Sequence, residues 1–461
     1  VRDRRRTSTS SFGVSGRESH DASGFYERFR PPEISEDRAI APPKPIDEPF
    51  QLGDARHMGA VEDGSVALVV TSPPYFAGKL YETELERDGI PSSYLEYLGL
   101  LREVFAECVR TLEPGGRLAI NVANLGRRPY RSLASDVITI LEQDLGLLLR
   151  GEIVWQKGEG ASGSCAWGSY RSASNPVLRD VTERVIIASK GRFDRSLSVK
   201  DRAERALPST STISTDDFLA LTLDVWSIPP ESARRVGHPA PFPVELPAQL
   251  IRLLTFRDDL VLDPFMGSGS TLVAASTLGR RFVGYDLDPE YVELARARVA
   301  DEGAPIPEDL DGRSAGARCL EALDAAGFTI QATEKRVAKT AVAVDAIVRD
   351  ESDVLWHVEF GGAATAMRAG LSRPETVFRA LGRLSALRGR LGPDAPLLLL
   401  TTALPASGSE AETALRATGP GLVTDVIDIS SAADRARMAS YASGASWPQP
   451  GFWHDVDLDS H

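Results

Sequence analysis

Apolar and polar positions along this chain follow two alternating rhythms. Runs of consecutive apolar residues predict buried strands at Val66 to Val70, in RLAINVAN, in EIVWQK, from Thr182 to Ser189 with its VIIA core, and in LVLD before the MGSGS turn. Between them, apolar residues three and four apart predict helices in YLEYLGLLREVFAECVRT, from Ser132 to Leu148, in FPVELPAQLIRLLT, after MGSGS and in YVELARARVA. The first of these helices is expected to stop at Gly115-Gly116. Strands alternating with helices predict an α/β domain with a parallel sheet and crossover helices.

The rhythm fails in three places. Residues 1–48 are rich in Arg, Ser, Gly and Pro and read as a flexible tail. Residues 191–225 lack a period and belong to an inserted region of about 158–228. A Pro-, Gly- and acid-rich linker at 303–317 separates the domain at 49–302 from a smaller C-terminal α/β domain at 318–461. That second unit is expected to pair VAVDAIV with VLWHVEF as strands, followed by the helix ETVFRALGRLSAL and the strands PLLLLTT and LVTDVIDI.

Composition narrows the classes. A chain of 461 residues, 42% hydrophobic and 25% charged, is a folded protein of two or three domains. Cys108, Cys165 and Cys319 lie too far apart to suggest a disulfide scaffold or a zinc site, and no metal is expected. No apolar run reaches membrane-spanning length, and VRDRRRTSTSSF has no apolar stretch behind its arginines, so a cytoplasmic protein without a membrane partner is expected. The net charge of -13 argues against coating nucleic acid indiscriminately. Residues 117–200 reverse the sign, with thirteen Arg and Lys against eight Asp and Glu.

Two loops carry the chemistry. In Thr71-Ser72-Pro73-Pro74-Tyr75, two prolines end a strand and remove amide donors. They leave the Ser72 hydroxyl and nearby carbonyls as acceptors for an amino group, with Tyr75 as a stacking face for a planar base. A rigid surface turn with a packed tyrosine is the plainer reading. In Asp263-Pro264-Phe265-Met266-Gly267-Ser268-Gly269-Ser270-Thr271, the glycines let backbone approach a ligand between a strand and a helix. The spacing fits neither a phosphate loop nor the dinucleotide fingerprint, so an adenosyl ligand without phosphates remains. Asp286 ends the next strand, where an acid accepts from ribose hydroxyls.

Together, the TSPPY and DPFMGSGST loops resemble those of the S-adenosylmethionine-dependent DNA amino-methyltransferases. The base-binding loop precedes the cofactor loop, which is similar to the permuted beta class and its site-specific cytosine-N4 enzymes. Asp54 in LGDARHM, the stretch NPVLRDVTERVIIASKG and His238-Pro239-Ala240-Pro241-Phe242-Pro243 extend the resemblance over about 50–300. It implies a Rossmann-like methyltransferase sheet with an inserted DNA-recognition region, S-adenosyl-L-methionine as cofactor and double-stranded DNA as partner. Ser72, Pro73, Pro74 and Tyr75 become the catalytic set. Asp54, Thr71, His238, Phe242, Pro243, Asp263, Pro264, Phe265, Gly267, Gly269, Ser270, Thr271 and Asp286 become the cofactor set.

Cytosine C5 chemistry needs a cysteine nucleophile, typically after a proline, and none of the three cysteines follows one. The target is therefore an exocyclic nitrogen of a base flipped out of the duplex. Serine ahead of the prolines resembles the cytosine-N4 enzymes, with adenine N6, an RNA amine or an inactive DNA-binding relative as alternatives. Arg127, Arg128, Arg171 and Arg192 are the expected phosphate or base-edge contacts, and Trp167 and Tyr170 the expected wedge. A cognate restriction endonuclease or other defence partner is implied by the same resemblance. The second domain, with Asp345 and Glu359, resembles a nuclease-type fold, but Phe360 and Gly361 follow where an E-x-K arrangement needs lysine, so it reads as a degenerate relative used for binding.

Overall fold

The computed structural model describes residues 33–42, 46–74, 93–124, 130–157, 169, 172–176, 178, 180–231, 242–303, 315–361, 370–371, 374–447 and 451–453. The main sheet contains β1 (Phe50–Leu52), β2 (Val66–Thr71), β3 (Leu112–Val122), β4 (Leu148–Gln156), β5 (Thr182–Ser189), β6 (Val225–Ser227), β7 (Leu260–Asp263) and β8 (Arg281–Asp286). Their order is β1-β8-β7-β2-β3-β5-β4-β6.

Strand β2 reads as an unbroken apolar run because helices cover both of its faces. Val66 and Val69 pack with Leu101, Val104 and Phe105 of the helix Tyr94–Thr111. Leu68 and Val70 pack with Leu246, Leu250 and Ile251 of the helix Glu245–Leu254.

Three expectations change. The sheet is not wholly parallel, because β5 runs antiparallel to both β3 and β4. The chain turns back between β4 and β5, setting Leu148 beside Ser189 and Gln156 beside Thr182. This places β5, an expected strand inside the span 158–228, in the middle of the sheet. Within the second half of that span lie the short helices Val199–Glu204 and Thr215–Leu221.

The Gly115-Gly116 pair does not stop the first helix, since β3 already begins at Leu112. Gly115 has φ 80°, and a Cβ there would lie 2.0 Å from the Asp194 carbonyl oxygen. The glycine serves close backbone approach, not helix termination. Finally, residues 33–42 form no helix or strand, yet the Ser35 amide donates to the Gly191 carbonyl at 2.7 Å. That part of the expected tail lies against the domain.

The smaller sheet contains β9 (Thr329–Arg336), β10 (Ala343–Arg349), β11 (Leu355–Gly361), β12 (Leu397–Thr401) and β13 (Asp425–Asp428), in the order β13-β12-β11-β10-β9. Strands β9, β10 and β11 are antiparallel, and β11, β12 and β13 are parallel. Asp345 and Glu359 meet at Arg383, whose Nη2 donates to Glu359 Oε2 at 3.0 Å and lies 3.9 Å from Asp345 Oδ1. Burial pushes the Glu359 carboxyl up to about 7 against this pairing. Among the described residues, no helix is long and apolar enough to cross a membrane.

Candidate active site at the carboxyl end of the main sheet

Strands β7 and β2 are parallel neighbours, with β8 and β1 beyond one and β3 beyond the other. Connections leaving their carboxyl ends therefore diverge, and a cleft opens between them. Both expected loops emerge here.

They are joined directly. The Thr71 hydroxyl donates to Asp263 Oδ1 at 2.6 Å, and the Thr271 hydroxyl donates to the Val70 carbonyl at 3.3 Å. Thr71, Asp263 and Thr271 are all fully buried. Burial pushes the Asp263 carboxyl up to about 6, while the hydroxyls of Thr71 and Thr271 and the Phe265 amide hold it down. Its Oδ2 completes no hydrogen bond among the described residues.

The glycine loop is fixed from two sides. Gly269, with φ 79°, precedes the helix Ser270–Thr277, and a Cβ on it would lie 2.9 Å from the Ala295 Cβ. The Gly267 amide donates to Asp286 Oδ2 at 2.9 Å, and the Met266 amide to the Tyr285 carbonyl at 3.0 Å. Beneath the loop, buried Arg298 donates to the Ser268 carbonyl at 3.2 Å and to the Ser270 hydroxyl at 3.1 Å. Ser270 in turn donates to the Phe242 carbonyl at 2.8 Å.

Phe242 is buried against Leu246 and Leu250, and the Pro243 carbonyl accepts from the Leu246 amide at 3.1 Å as the helix starts. Pro264 is buried and Phe265 half-buried, directly after Asp263 in the chain. Asp286 accepts a second amide, that of Asp288, at 3.0 Å, and burial raises its carboxyl. The Gly53 amide donates to the Asp286 carbonyl at 2.9 Å, so Asp54 stands beside this strand end. The Arg56 guanidinium, 2.6 Å from Asp54 Oδ2, holds the Asp54 carboxyl below its ordinary range.

On the other side, Ser72 is half-buried and Pro73 buried. Asn121 Nδ2 at the end of β3 donates to Ser72 Oγ at 3.4 Å and to Glu183 Oε2 at 2.5 Å. Lys157 Nζ lies 2.6 Å from Glu183 Oε1. Asn121, Lys157 and Arg298 escape the sequence reading because no motif surrounds them, and Glu183, although inside the NPVLRDVTERVIIASKG stretch, is given no role there because its partners are distant in sequence. Leu287, directly after Asp286, is 54% exposed and supplies an apolar surface that the sequence reading also misses.

Arg192 is engaged within the chain, its Nη1 donating to the Ser35 carbonyl at 3.1 Å. Tyr75, Arg127, Arg128, Trp167, Tyr170, Arg171 and His238 lie outside the described residues. The cleft thus offers a buried acid, a glycine loop and a second acid on one side, and a hydroxyl on proline-stiffened backbone on the other.

A family model described as DNA methylase matches residues 66–297, a span that includes both loops and all the strands from β2 to β8. The chain belongs to the DNA methylase family. Among its relatives, the methylase is 30% identical over 293 residues to the Type II methyltransferase M.MjaI of Methanocaldococcus jannaschii, covering 56% of this chain and 93% of that protein. It is 29% identical over 310 residues to the Type II methyltransferase M.BglI of Bacillus subtilis, covering 54% and 85%. Of solved structures, TTHA0409 of Thermus thermophilus, complexed with S-adenosyl-L-methionine, aligns to the methylase with a TM-score of 0.41 and 31% identity, covering 55% of this chain and 93% of that one.

Proposed function

We propose that this methylase transfers a methyl group from S-adenosyl-L-methionine to the exocyclic N4 of cytosine in double-stranded DNA. The observation that carries this reading is the Thr71–Asp263 hydrogen bond, which holds an acceptor-bearing loop beside a glycine loop at one switch point.

The residues present fit the cofactor. Asp263 is a buried carboxylate with an incomplete Oδ2 and no cation beside it among the described residues, suited to an ammonium group. The Gly267–Gly269 backbone permits close approach, Asp286 retains acceptor capacity for ribose hydroxyls, and Leu287 offers an apolar face for adenine. When bound, the cofactor supplies a methyl carbon on a sulfonium sulfur, open to in-line attack.

The chain's own residues then orient the nucleophile. Ser72 Oγ and the Pro73 carbonyl accept the amine hydrogens, so the nitrogen lone pair points toward the methyl carbon, and the displaced amine proton passes to solvent. The proposed transfer uses no thiol nucleophile, since none of the three cysteines follows a proline. Cys108 and Cys319 are buried, and burial pushes both thiols up.

A base inside a duplex cannot reach this cleft, so it is flipped out, with Tyr75 as its stacking face. Strands β3 and β4 run in the same direction as β2, since β5 is antiparallel to both neighbours. Strands β3 and β4 therefore end, at Val122 and Gln156, on the same edge of the sheet as Ser72, and Arg127 and Arg128, then Trp167, Tyr170 and Arg171, follow them in sequence. We assign these residues to DNA contact. Serine at position 72 favours cytosine N4 over adenine N6.

The test is to incubate the full chain with methyl-labelled S-adenosylmethionine and unmethylated genomic DNA, then identify the labelled nucleoside by mass spectrometry. Label in N4-methylcytosine is expected. Label in N6-methyladenine overturns the Ser72 assignment, and transfer to structured RNA alone overturns the DNA assignment. A restriction endonuclease of matching site is the proposed partner, checked by asking whether methylated plasmid resists it.

A further inference from the structure

Glu183 is a buried carboxylate at the start of β5 that no step above uses. It is 7% exposed and makes two strong contacts: Lys157 Nζ at 2.6 Å from Oε1 and Asn121 Nδ2 at 2.5 Å from Oε2. Lys157 itself lies over the Trp155 ring at 5.6 Å, and Trp155 is anchored by its Nε1 donating to the Ile228 carbonyl at 2.8 Å. The Lys157 amide donates to the Val181 carbonyl at 3.1 Å, so the ion pair closes the base of the connection between β4 and β5.

The consequence lies at Asn121, which is 3% exposed. An amide side chain has two N–H donors on one planar nitrogen, and a carboxylate accepts only. Once one N–H is committed to Glu183, the plane of the amide is set and its second N–H is directed at Ser72 Oγ, 3.4 Å away. A flipped amide would put its oxygen against the carboxylate, a repulsive contact between two acceptors. Lys157 supplies the opposite charge that this buried carboxylate needs, since burying a charge is costly unless it is paired.

We infer that Glu183, held by Lys157, is a positioning residue for the Ser72 hydroxyl, acting through the amide of Asn121. A hydroxyl oxygen has two acceptor lone pairs, so one can take the Asn121 donor while the other meets the target amine. Rotation of the serine side chain is thereby restricted to the rotamer that faces the cleft. The inference rests on the methyl-transfer reading for its kinetic consequence, and on the hydrogen bonds alone for its geometry.

The experiment has one arm for each. Only three asparagines occur in the chain, Asn121, Asn124 and Asn175, so selective ¹⁵N-asparagine labelling of the full-length protein yields three side-chain amide pairs, and Asn121→Ala identifies one of them. A charge-assisted N–H shifts downfield. We expect a downfield Asn121 proton in the native chain that moves upfield in Glu183→Gln, with the thermal midpoint of each variant recording whether it folds.

In the kinetic arm, Glu183→Gln and Lys157→Met lower kcat for DNA methylation about 10- to 100-fold, with cofactor affinity and KM for DNA changed less than about threefold. Lys157→Arg, which keeps the charge, restores most of kcat. An Asn121 amide unmoved by Glu183→Gln overturns the positioning assignment. So does a loss of activity matched by an equal loss of cofactor affinity. Absence of methyl transfer in the native chain, with the amide signature present, removes the function reading and leaves the geometric assignment standing.

Discussion

Strand β7 carries an aspartate at each end, and the fold treats the two differently. Asp259, just before the strand, accepts from Arg195 Nη1 at 3.2 Å, from Arg202 Nη2 at 3.1 Å and from the Phe256 amide at 2.7 Å. Both arginines also bind Glu113, and both guanidiniums lie 5.3 Å from the Phe256 ring centre. Two buried cations thus meet two buried anions at the amino end of the sheet. Asp263, four residues on, is as deeply buried, yet among the described residues its hydrogen-bond partners are hydroxyls and an amide, and the charge that acts on it, Asp286, is of like sign. A buried acid left without its cation is costly unless a ligand completes it. Position relative to the strand's direction therefore separates a structural charge cluster from the acid proposed to bind the cofactor, whose Oδ2 the described residues leave without a partner.

The sharpest break between them is expected from opposite mutations. Asp259→Ala leaves buried arginines uncompensated and should destabilise the fold by about 3–5 kcal/mol in chemical denaturation, without changing methyl transfer per folded molecule. Asp263→Asn should cost little stability at neutral pH but weaken cofactor binding roughly 10- to 100-fold, about 1.4–2.8 kcal/mol by titration calorimetry. If both variants lose stability equally, the contrast fails.

A pH series sharpens it. Because burial raises the Asp263 carboxyl to about 6 in the folded chain, its favourable contribution to stability is full below the ordinary aspartate pKa of about 4 and is lost as pH rises through about 6. Relative to Asp263→Asn, the native chain should lose on the order of 2–3 kcal/mol across that window. Cofactor affinity should move the other way, rising as the carboxyl ionises. A flat affinity between pH 5 and 7 would sink the assignment of Asp263 to a cationic group.

Smaller effects test the walls of the cleft. Ser72→Ala should lower kcat about tenfold or more and leave cofactor affinity intact, whereas Asp286→Ala should do the reverse. Gly269→Ala forces a side chain into a left-handed position against Ala295 and should cost about 1 kcal/mol, read as a shift of the thermal midpoint.

What the sequence reveals and what it hides follow the same physics. The two loops are legible because special backbone needs special residues: paired prolines ending β2 and glycines at positive φ after β7. Strands β7 and β8 are legible because apolar runs flank those loops. Strand β9 is not, since TIQATEKR is almost wholly exposed and shows no buried face. Gly115 misleads because a glycine required for contact with Asp194 looks like a helix stop. Asn121 and Glu183 stay hidden because their meaning depends on a register, Asn121 beside Val185, that pairs strands about sixty residues apart. Arg195 counts toward a basic surplus in the sequence, whereas the fold uses it internally.

The Thr71–Asp263 bond also sets a schedule. Its partners are 192 residues apart, and the loop-closure entropy must be met before the contact stabilises anything. At about 5–20 residues per second, a ribosome takes roughly 10–40 seconds to make the intervening chain. During that interval β2 and β3 exist without β7, the β2 edge that pairs with β7 exposed, and a nascent chain that stalls before residue 263 carries the loop beginning at Thr71 without its Asp263 partner. For a DNA methylase assembled this way, competence arrives late and all at once.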